Sequence, residues 1–253
     1  MNKIQLKKTR AMLLVCALMA LVPIFCHADP SAVQILDRAD DHWDLSLKNS
    51  TTELELLVYR ENELRKTYHM KLKYQDTDHV LAETTFPPRN EGEIMLQAGR
   101  RNYWLFLPNI NRAMRISESN SLSNSDFSNT DLLSPRLSVE YTPTLIGTEK
   151  LGEVETYKLE LLAKDESTPY AKIIYWIRKA DYFPLRRDYY TFSKMLLKRL
   201  DIKASLTKVS WPDTFVMSSV LERDKKTVIR YLKQTPGSGF PPETFRESSL
   251  MKR

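Results

Sequence analysis

Apolar and polar residues follow two different periods along this chain, and the change falls just after Leu47. From Pro30 to Leu47 the apolar positions Val33, Ile35, Leu36, Ala39, Trp43, Leu45 and Leu47 partly follow helical spacing, with acids among them. One amphipathic helix is expected there, opened by Asp29 or Ser31 as a cap, with Pro30 near its first turn. Beyond it the period drops to two. Leu54, Leu56 and Val58 alternate with Glu53, Glu55 and Leu57, and Tyr68, Met70, Leu72 and Tyr74 alternate with His69, Lys71 and Lys73. Strand-like segments then recur at 53–60, 65–75, 79–86, 92–98, 101–107 and 112–116. A second set covers 139–149, 154–163, 171–179, 184–192, 195–204, 215–223 and 226–234.

Turn signals separate these segments, among them Glu61-Asn62, Asp76-Thr77-Asp78, Pro87-Pro88, Gly99-Arg100, Leu151-Gly152 and the run from Asp165 to Pro169. Many short strands with regular turns predict an antiparallel sheet, a sandwich or a barrel. One strand face is aromatic and aliphatic while the other is charged, which fits a sheet with one covered and one wet surface. The N-terminal helix is the natural cover, and Phe240 to Met251 adds a short helix starting near Pro241 or Pro242. With six glycines, no repeat and no low-complexity block, nothing marks a second domain.

The pattern breaks once. Trp104, Leu105, Phe106 and Leu107 form an apolar strand that stops at Pro108 and resumes as Arg112, Ala113, Met114, Arg115 and Ile116. From Ser117 to Thr130 only Leu122 and Phe127 are apolar, so a long loop is expected, of a length usually tied to function or disorder. Phe127 is then a candidate plug or anchor. Asp126 and Asp131 lie among Ser125, Ser128, Asn129 and Thr130, which cap turns and short helices through side chain to backbone bonds. Capping is the preferred reading of this carboxylate pair over acid-base catalysis.

The N-terminus changes the charge picture. Lys3, Lys7, Lys8 and Arg10 precede an apolar run from Ala11 to Cys26, then His27-Ala28 and Asp29-Pro30. This is the three-part pattern of a secretory signal peptide, with cleavage expected after Ala28. A run of roughly 16 apolar residues is short for the about 20 that cross a bilayer. Cys26 follows Phe25, which does not suit lipid attachment. Residues 1–28 hold four of the 38 basic residues and none of the 32 acids, so the net charge falls from +6 to +2 without them. The basic balance belongs largely to the signal, and nothing recommends nucleic acid, which needs clustered cations on one face. Cys16 and Cys26 also lie in the signal, so residues 29–253, read as one domain, must rely on a packed core rather than a disulfide.

Reactive constellations are not evident. His42, His69 and His79 have no second histidine or cysteine at metal-ligand spacing, and no cysteine-based zinc site is available. Neither a Gly-rich phosphate loop nor a G-x-S-x-G elbow occurs, and Gly237-Ser238-Gly239 reads as a linker. No metal, cofactor or catalytic residue is expected. Trp104, Phe106, Tyr157, Tyr175, Trp176, Phe183, Phe192, Phe215 and Tyr231 fall in strand segments. Singly each reads as core; together they either overfill it or line a concavity for an apolar ligand. Met70, Met95, Met114, Met195 and Met217 add adaptable surface for such a ligand.

The run WLFLP, then RAMRIS, then SDFSNTDLL resembles the outer-membrane lipoprotein-sorting protein family, the relatives of LolA. The matching residues are Trp104, Leu107, Pro108, Arg112, Arg115, Ile116, Ser125, Asp126, Phe127, Ser128, Asp131 and Leu132. One departure stands out: the family's usual glycines before the Asp-Phe pair are replaced by Ser119, Asn120, Ser121, Ser123 and Asn124, which suggests a less tightly turned loop. The resemblance implies a mainly β (α+β) fold, an open, half-closed antiparallel β-barrel with helices covering its concave face, which accepts acyl chains.

It also implies a ligand-binding set of Trp104, Phe106, Leu107, Arg112, Arg115 and Phe127, with Pro108, Ser125, Asp126 and Asp131 shaping the loop. Phe127 would fill the mouth of the empty pocket, and Arg112 or Arg115 would meet a phosphate or carbonyl. The implied function is a non-enzymatic periplasmic carrier or chaperone, moving lipoproteins or lipids between inner and outer membrane. It would work beside an inner-membrane transporter, with transient membrane contact. The alternative is a periplasmic sensor or accessory subunit that binds a protein partner through the same sheet. An esterase or phospholipase would need a nucleophile and base that the sequence does not supply.

Overall fold

The computed structural model describes residues 29–117, 119–133, 136–204, 212–222 and 224–252. The chain divides into two compact units, Met1–Pro30 and Ser31–Arg253. The expected signal peptide lies outside the described residues.

Helix α1 spans Ala32–Leu47. Ser31 opens it: the Gln34 backbone N–H donates to Ser31 Oγ at 3.3 Å, and Ser31 N–H donates to Gln34 Oε1 at 2.9 Å. Two of the donors that a helix start leaves unpaired are satisfied reciprocally, so Ser31 rather than Asp29 is the cap. Ile35, Leu36 and Ala39 are fully buried on one side of the helix, while Val33 is exposed. The buried side packs against strands β1 (Ser50–Arg60), β2 (Glu63–Asp76) and β7 (Tyr141–Leu151).

The other strands are β3 (His79–Phe86), β4 (Ile94–Ala98), β5 (Tyr103–Leu107), β6 (Arg112–Ile116), β8 (Val154–Ala163) and β9 (Lys172–Arg178). They are followed by β10 (Pro184–Tyr190), β11 (Leu196–Ala204), β12 (Pro212–Ser219) and β13 (Lys226–Pro236). All thirteen described strands join one antiparallel sheet in the order β6-β5-β4-β3-β2-β1-β13-β12-β11-β10-β9-β8-β7. The sheet is therefore two meanders sewn together at β1 and β13, and it does not close. Tight turns make the meanders possible. At Glu61 and Asn62 both residues take positive φ, 53° and 60°, the two-residue geometry whose twist matches adjoining antiparallel strands.

Register decides which side chains share a face. Leu54 opposes Met70 and Tyr231, Leu56 opposes Tyr68 and Ile229, and Leu200 opposes Met217 and Arg187. This row continues through Tyr175, Leu159 and Leu145 and forms the main core beneath α1. The opposite face differs from the wet surface expected. Over β3 to β6 it carries a second cluster of Leu81, Ile94, Leu96 and Phe106, with Trp104 and Ala113 at its margin, covered by Phe240, Phe245 and Leu250. The short helical cover expected from Phe240 to Met251 takes the form of two 3-10 helices, Pro242–Phe245 and Glu247–Lys252. Pro242 fixes the first of them and lacks the N–H that a longer helix would use.

Candidate functional site

Topology places the long loop. The chain leaves the sheet at one edge, β6, and rejoins it at the opposite edge, β7, so the connection must pass over a face. It crosses the side that carries α1, and its two apolar residues hold it there: Leu122 and Phe127 are 1% and 2% exposed within the main core. Two short helices finish the crossing, α2 (Asn129–Leu133) and α3 (Leu137–Glu140).

The loop is tightly turned despite its missing glycines. Ser123 and Asn124 take the left-handed conformation, with φ of 50° and 58°, around a 3-10 turn over Leu122–Asn124. Asn tolerates that region through its short polar side chain, whereas serine occupies it at a cost of about 1–2 kcal/mol. Ser121 pairs with Ser128 in a β-bridge, and Ser125 Oγ accepts the Phe127 backbone N–H at 3.1 Å. These bonds fold the chain back on itself at Phe127 and direct the ring inward.

The two acids fasten this turn in different ways. Asp131 Oδ2 accepts the Ser128 backbone N–H at 2.7 Å, the bond that caps a helix start, and also faces Lys198 Nζ at 2.6 Å. Tyr170 OH donates to the Asp131 carboxylate at 3.1 Å. Burial and the adjacent carboxylate push the Tyr170 phenol well above its ordinary range, so it remains a hydrogen-bond donor. Asp126 reaches the sheet instead. Its Oδ2 accepts from Arg60 Nη1 at 2.9 Å and from Thr227 Oγ1 at 2.7 Å, and its backbone N–H donates to Thr227 Oγ1 at 3.1 Å. Lys198 Nζ also donates to the Asp126 carbonyl at 3.0 Å. The loop is thus clasped to β1, β11 and β13 by part-buried, charge-assisted bonds, the strong kind.

Two cavities flank the segment 129–131. The first, about 230 Å³, lies between the sheet residues Met70, Met95, Leu105 and Ile116 and the loop residues Asn120, Ser121, Ser123, Asn124 and Asn129. Its sheet side is mainly apolar, with two flexible methionines, but also carries Thr84 and Glu93, and its loop side is polar. The second, about 40 Å³, is bordered by Thr130, Asp131, Tyr170, Arg136 and Arg187. A wider depression of about 380 Å³, between Leu151, Val154, Leu185 and Ile202, has no loop residue in its lining.

Arg187 is an unusual occupant of a core. It is 3% exposed, its Nη2 donates to Tyr175 OH at 2.9 Å, and the guanidinium lies 4.6 Å from the Tyr175 ring centre. Nearby, Asp40 is fully buried, its Oδ2 accepting the Ser138 backbone N–H at 2.8 Å. Burial raises the Asp40 carboxyl from 3.8 to about 6.

The six residues expected to bind ligand do not converge. Leu107 opposes Arg112 across β5 and β6, and both stand in the register of Leu105, on the face that the loop crosses. Phe127 lies on that face as well. Trp104, Phe106 and Arg115 occupy the other face: Arg115 opposes Trp104, and Phe106 packs in the second cluster. A strand alternates its side chains between faces, so the contiguous apolar string Trp104 to Leu107 serves two cores. Arg112 and Arg115 are exposed. Pro108 opens a 3-10 turn, Pro108–Ile110, between β5 and β6.

Sequence reasoning missed Lys198, Arg187, Tyr170, Arg60, Thr227 and Asp40. A signal existed for two of them: Arg187 sits between Leu185 and Tyr189, and Lys198 precedes Leu200 and Ile202, each a cation in the phase of an apolar face. His42 Nε2 bonds the distant Asp181 carbonyl at 2.7 Å, and His79 Nδ1 bonds its near neighbour Asp76 at 2.8 Å. Among the described residues, no group of three or more His, Cys, Asp or Glu side chains is arranged to hold a metal ion.

A family model described as an uncharacterized protein matches residues 76–252. No curated protein matches the chain. Among solved structures, a LolA superfamily protein from Nitrosomonas europaea aligns with a TM-score of 0.77 at 21% identity, covering 87% of this chain and 99% of that one. A domain from Vibrio parahaemolyticus, described as an outer membrane lipoprotein-sorting protein domain, aligns with a TM-score of 0.76 at 25% identity, covering 87% and 98%. A DUF1329 family protein from Desulfovibrio piger aligns at 0.72 with 23% identity, covering 87% and 100%.

Proposed function

The chain belongs to the family whose model matches residues 76–252 and has the LolA-like fold, and from that premise we propose that it is a non-enzymatic carrier of acyl chains, exported to the periplasm by residues 1–28. In this reading the open sheet is a half-closed barrel whose concave face is covered by α1 and the crossing loop. Acyl chains of a lipoprotein or lipid enter between loop and sheet, to be passed from inner to outer membrane, with an inner-membrane transporter as the donor.

The observation that carries this reading is the 230 Å³ cavity between Met70, Met95, Leu105 and Ile116 and the loop. Small-molecule sites are concave and mostly apolar with a few polar groups at one side. Each buried methylene contributes about 0.8 kcal/mol, and methionine adapts to irregular chains. Phe127 is not on the wall of this cavity but is buried in the core on the same face. In this reading its withdrawal opens further room under the loop, whose turn is fastened by the bonds of Asp126 and Asp131. Leu107 and Arg112 stand at the β5–β6 edge of the same face, where Arg112 would meet a polar group. Trp104, Phe106 and Arg115 act from the other face, in support of the strand.

Mass spectrometry of detergent-free protein from its native host should find acyl species. The purified chain should also take up a neutral naphthylamine probe, and Phe127→Ala should change its retention. Ligand-free protein that also refuses the probe would remove the carrier reading.

A further inference from the structure

We propose that the smaller cavity beside Arg187 is a subsite for an oxyanion of the phosphate type. A guanidinium carries five N–H groups and no acceptor. Arg187 is 97% buried by its 3% exposure, and its Nε has no hydrogen-bond partner. A buried donor left unsatisfied is costly, so a group with lone pairs in the adjoining cavity is strongly favoured.

The charge around the cavity points the same way. Arg100, Arg101, Arg136 and Arg187 border it, against only two acids, Asp131 and Glu140. The acids and the arginines are already engaged. Asp131 faces Lys198 at 2.6 Å, and Glu140 accepts from Arg100 at 2.8 Å and from Arg101. Arg101 also pairs with Asp165 and Arg136 with Asp41, at 3.4 Å each, and the charge of Arg187 is attracted to that of buried Asp40. Each guanidinium carries five N–H donors, more than one such pair uses. Hydroxyl-bearing Thr130, Tyr141, Thr168 and Tyr170 share the wall with Leu137, Pro169 and Ile173. A space of about 40 Å³ holds about three waters at roughly 10–15 Å³ each, and a small anion would take their place. Guanidinium groups recognise such anions through paired parallel N–H bonds, which lysine does not reproduce.

The subsite stands on this geometry and not on the acyl-carrier reading. Where both hold, the anion is the phosphate of a lipid headgroup, since Asn129 borders the apolar cavity while Thr130 and Asp131 border this one. Free inorganic phosphate has the same chemistry.

The test is titration of the full chain in phosphate-free buffer, followed by calorimetry and by phosphorus NMR line width. One arm uses inorganic phosphate and the other a short-chain phosphatidic acid below its micellar concentration. Millimolar binding of phosphate is expected, weakened about tenfold by Arg136→Ala at the cavity mouth and abolished by Arg187→Met. Arg136→Ala leaves the buried guanidinium in place, so it reports on the site even where Arg187→Met fails to fold. Tighter binding of the short-chain lipid assigns the subsite to a headgroup, and equal binding assigns it to the free anion. Wild-type protein that shows neither heat nor line broadening with phosphate overturns the proposal, as does binding that Arg136→Ala leaves unchanged. Uptake of the neutral naphthylamine probe, which carries no oxyanion, is scored separately, so failure here and failure of the carrier reading are distinct results.

Discussion

Lys198 Nζ lies 2.6 Å from Asp131 Oδ2, with the side chains 10% and 3% exposed, so the crossing loop is fixed to β11 by an ion pair almost out of reach of water. The same ammonium lies 5.0 Å from the centre of the Tyr170 ring and 5.6 Å from that of Tyr189, and cation–π attraction adds to its hold. Removing one member of such a pair leaves an uncompensated buried charge, which costs about 3–5 kcal/mol. Lys198→Met should therefore lose about that much in urea unfolding, and the double variant Lys198→Met, Asp131→Asn should recover more than half of it. A single variant that costs under about 1 kcal/mol would place the pair in the class of solvated surface bridges.

The division of β5 between two faces yields a contrast. Phe106 is 4% exposed beside Ile94, Leu96 and Phe245, so Phe106→Ala should destabilise by about 3–5 kcal/mol while uptake of the neutral probe persists. Met95 borders the cavity under the loop. Met95→Trp should fill that space and reduce uptake several-fold, at an overpacking cost of about 1–3 kcal/mol. Equilibrium unfolding and probe titration on the two variants check both halves. Uptake lost in Phe106→Ala and kept in Met95→Trp would put the ligand on the wrong face.

The same strand shows what could be read from sequence and what could not. Period-two alternation, apolar runs and the turn signals between them located all thirteen described strands, since a half-buried strand repeats its face every second residue. Helical spacing of Ile35, Leu36 and Ala39 located α1. Alternation does not say which face meets which. The string Trp104 to Leu107 reads as uniformly apolar, and only the C-terminal turns carrying Phe240 and Phe245 show that half of it faces a second core. The loop was visible as a polar gap anchored by Leu122 and Phe127. Its partners were not, because Arg60, Lys198 and Thr227 lie 66, 67 and 101 residues from the acids they bind. Such contacts follow from the edge-to-edge crossing of β6 to β7, a property of topology that no local window contains.

The carboxyl of Asp40 gives the fold a pH dependence of definite sign. Desolvation raises it to about 6 from 3.8, opposed by the Ser138 backbone N–H and by attraction to Arg187. Because the folded value exceeds the unfolded one, the folded chain holds more protons between about pH 4 and 6, and stability falls as pH rises through that window. The contribution is fully present below 3.8 and is gone once the pH passes about 6. A separation of about two pH units corresponds to about 3 kcal/mol. Asp40→Asn keeps an oxygen for the Ser138 N–H at the position of Oδ2 and cannot ionise. Measured by urea unfolding, wild type and variant should be close to equal near pH 4. The variant should then gain on the wild type as pH rises, reaching about 2–3 kcal/mol at pH 7.5. Other carboxylates titrate identically in both proteins, so the difference isolates Asp40. A variant that is instead less stable by that amount at pH 7.5 would mean that attraction between Asp40 and Arg187 outweighs the cost of burying the charge, and the carboxyl would titrate below its unfolded value.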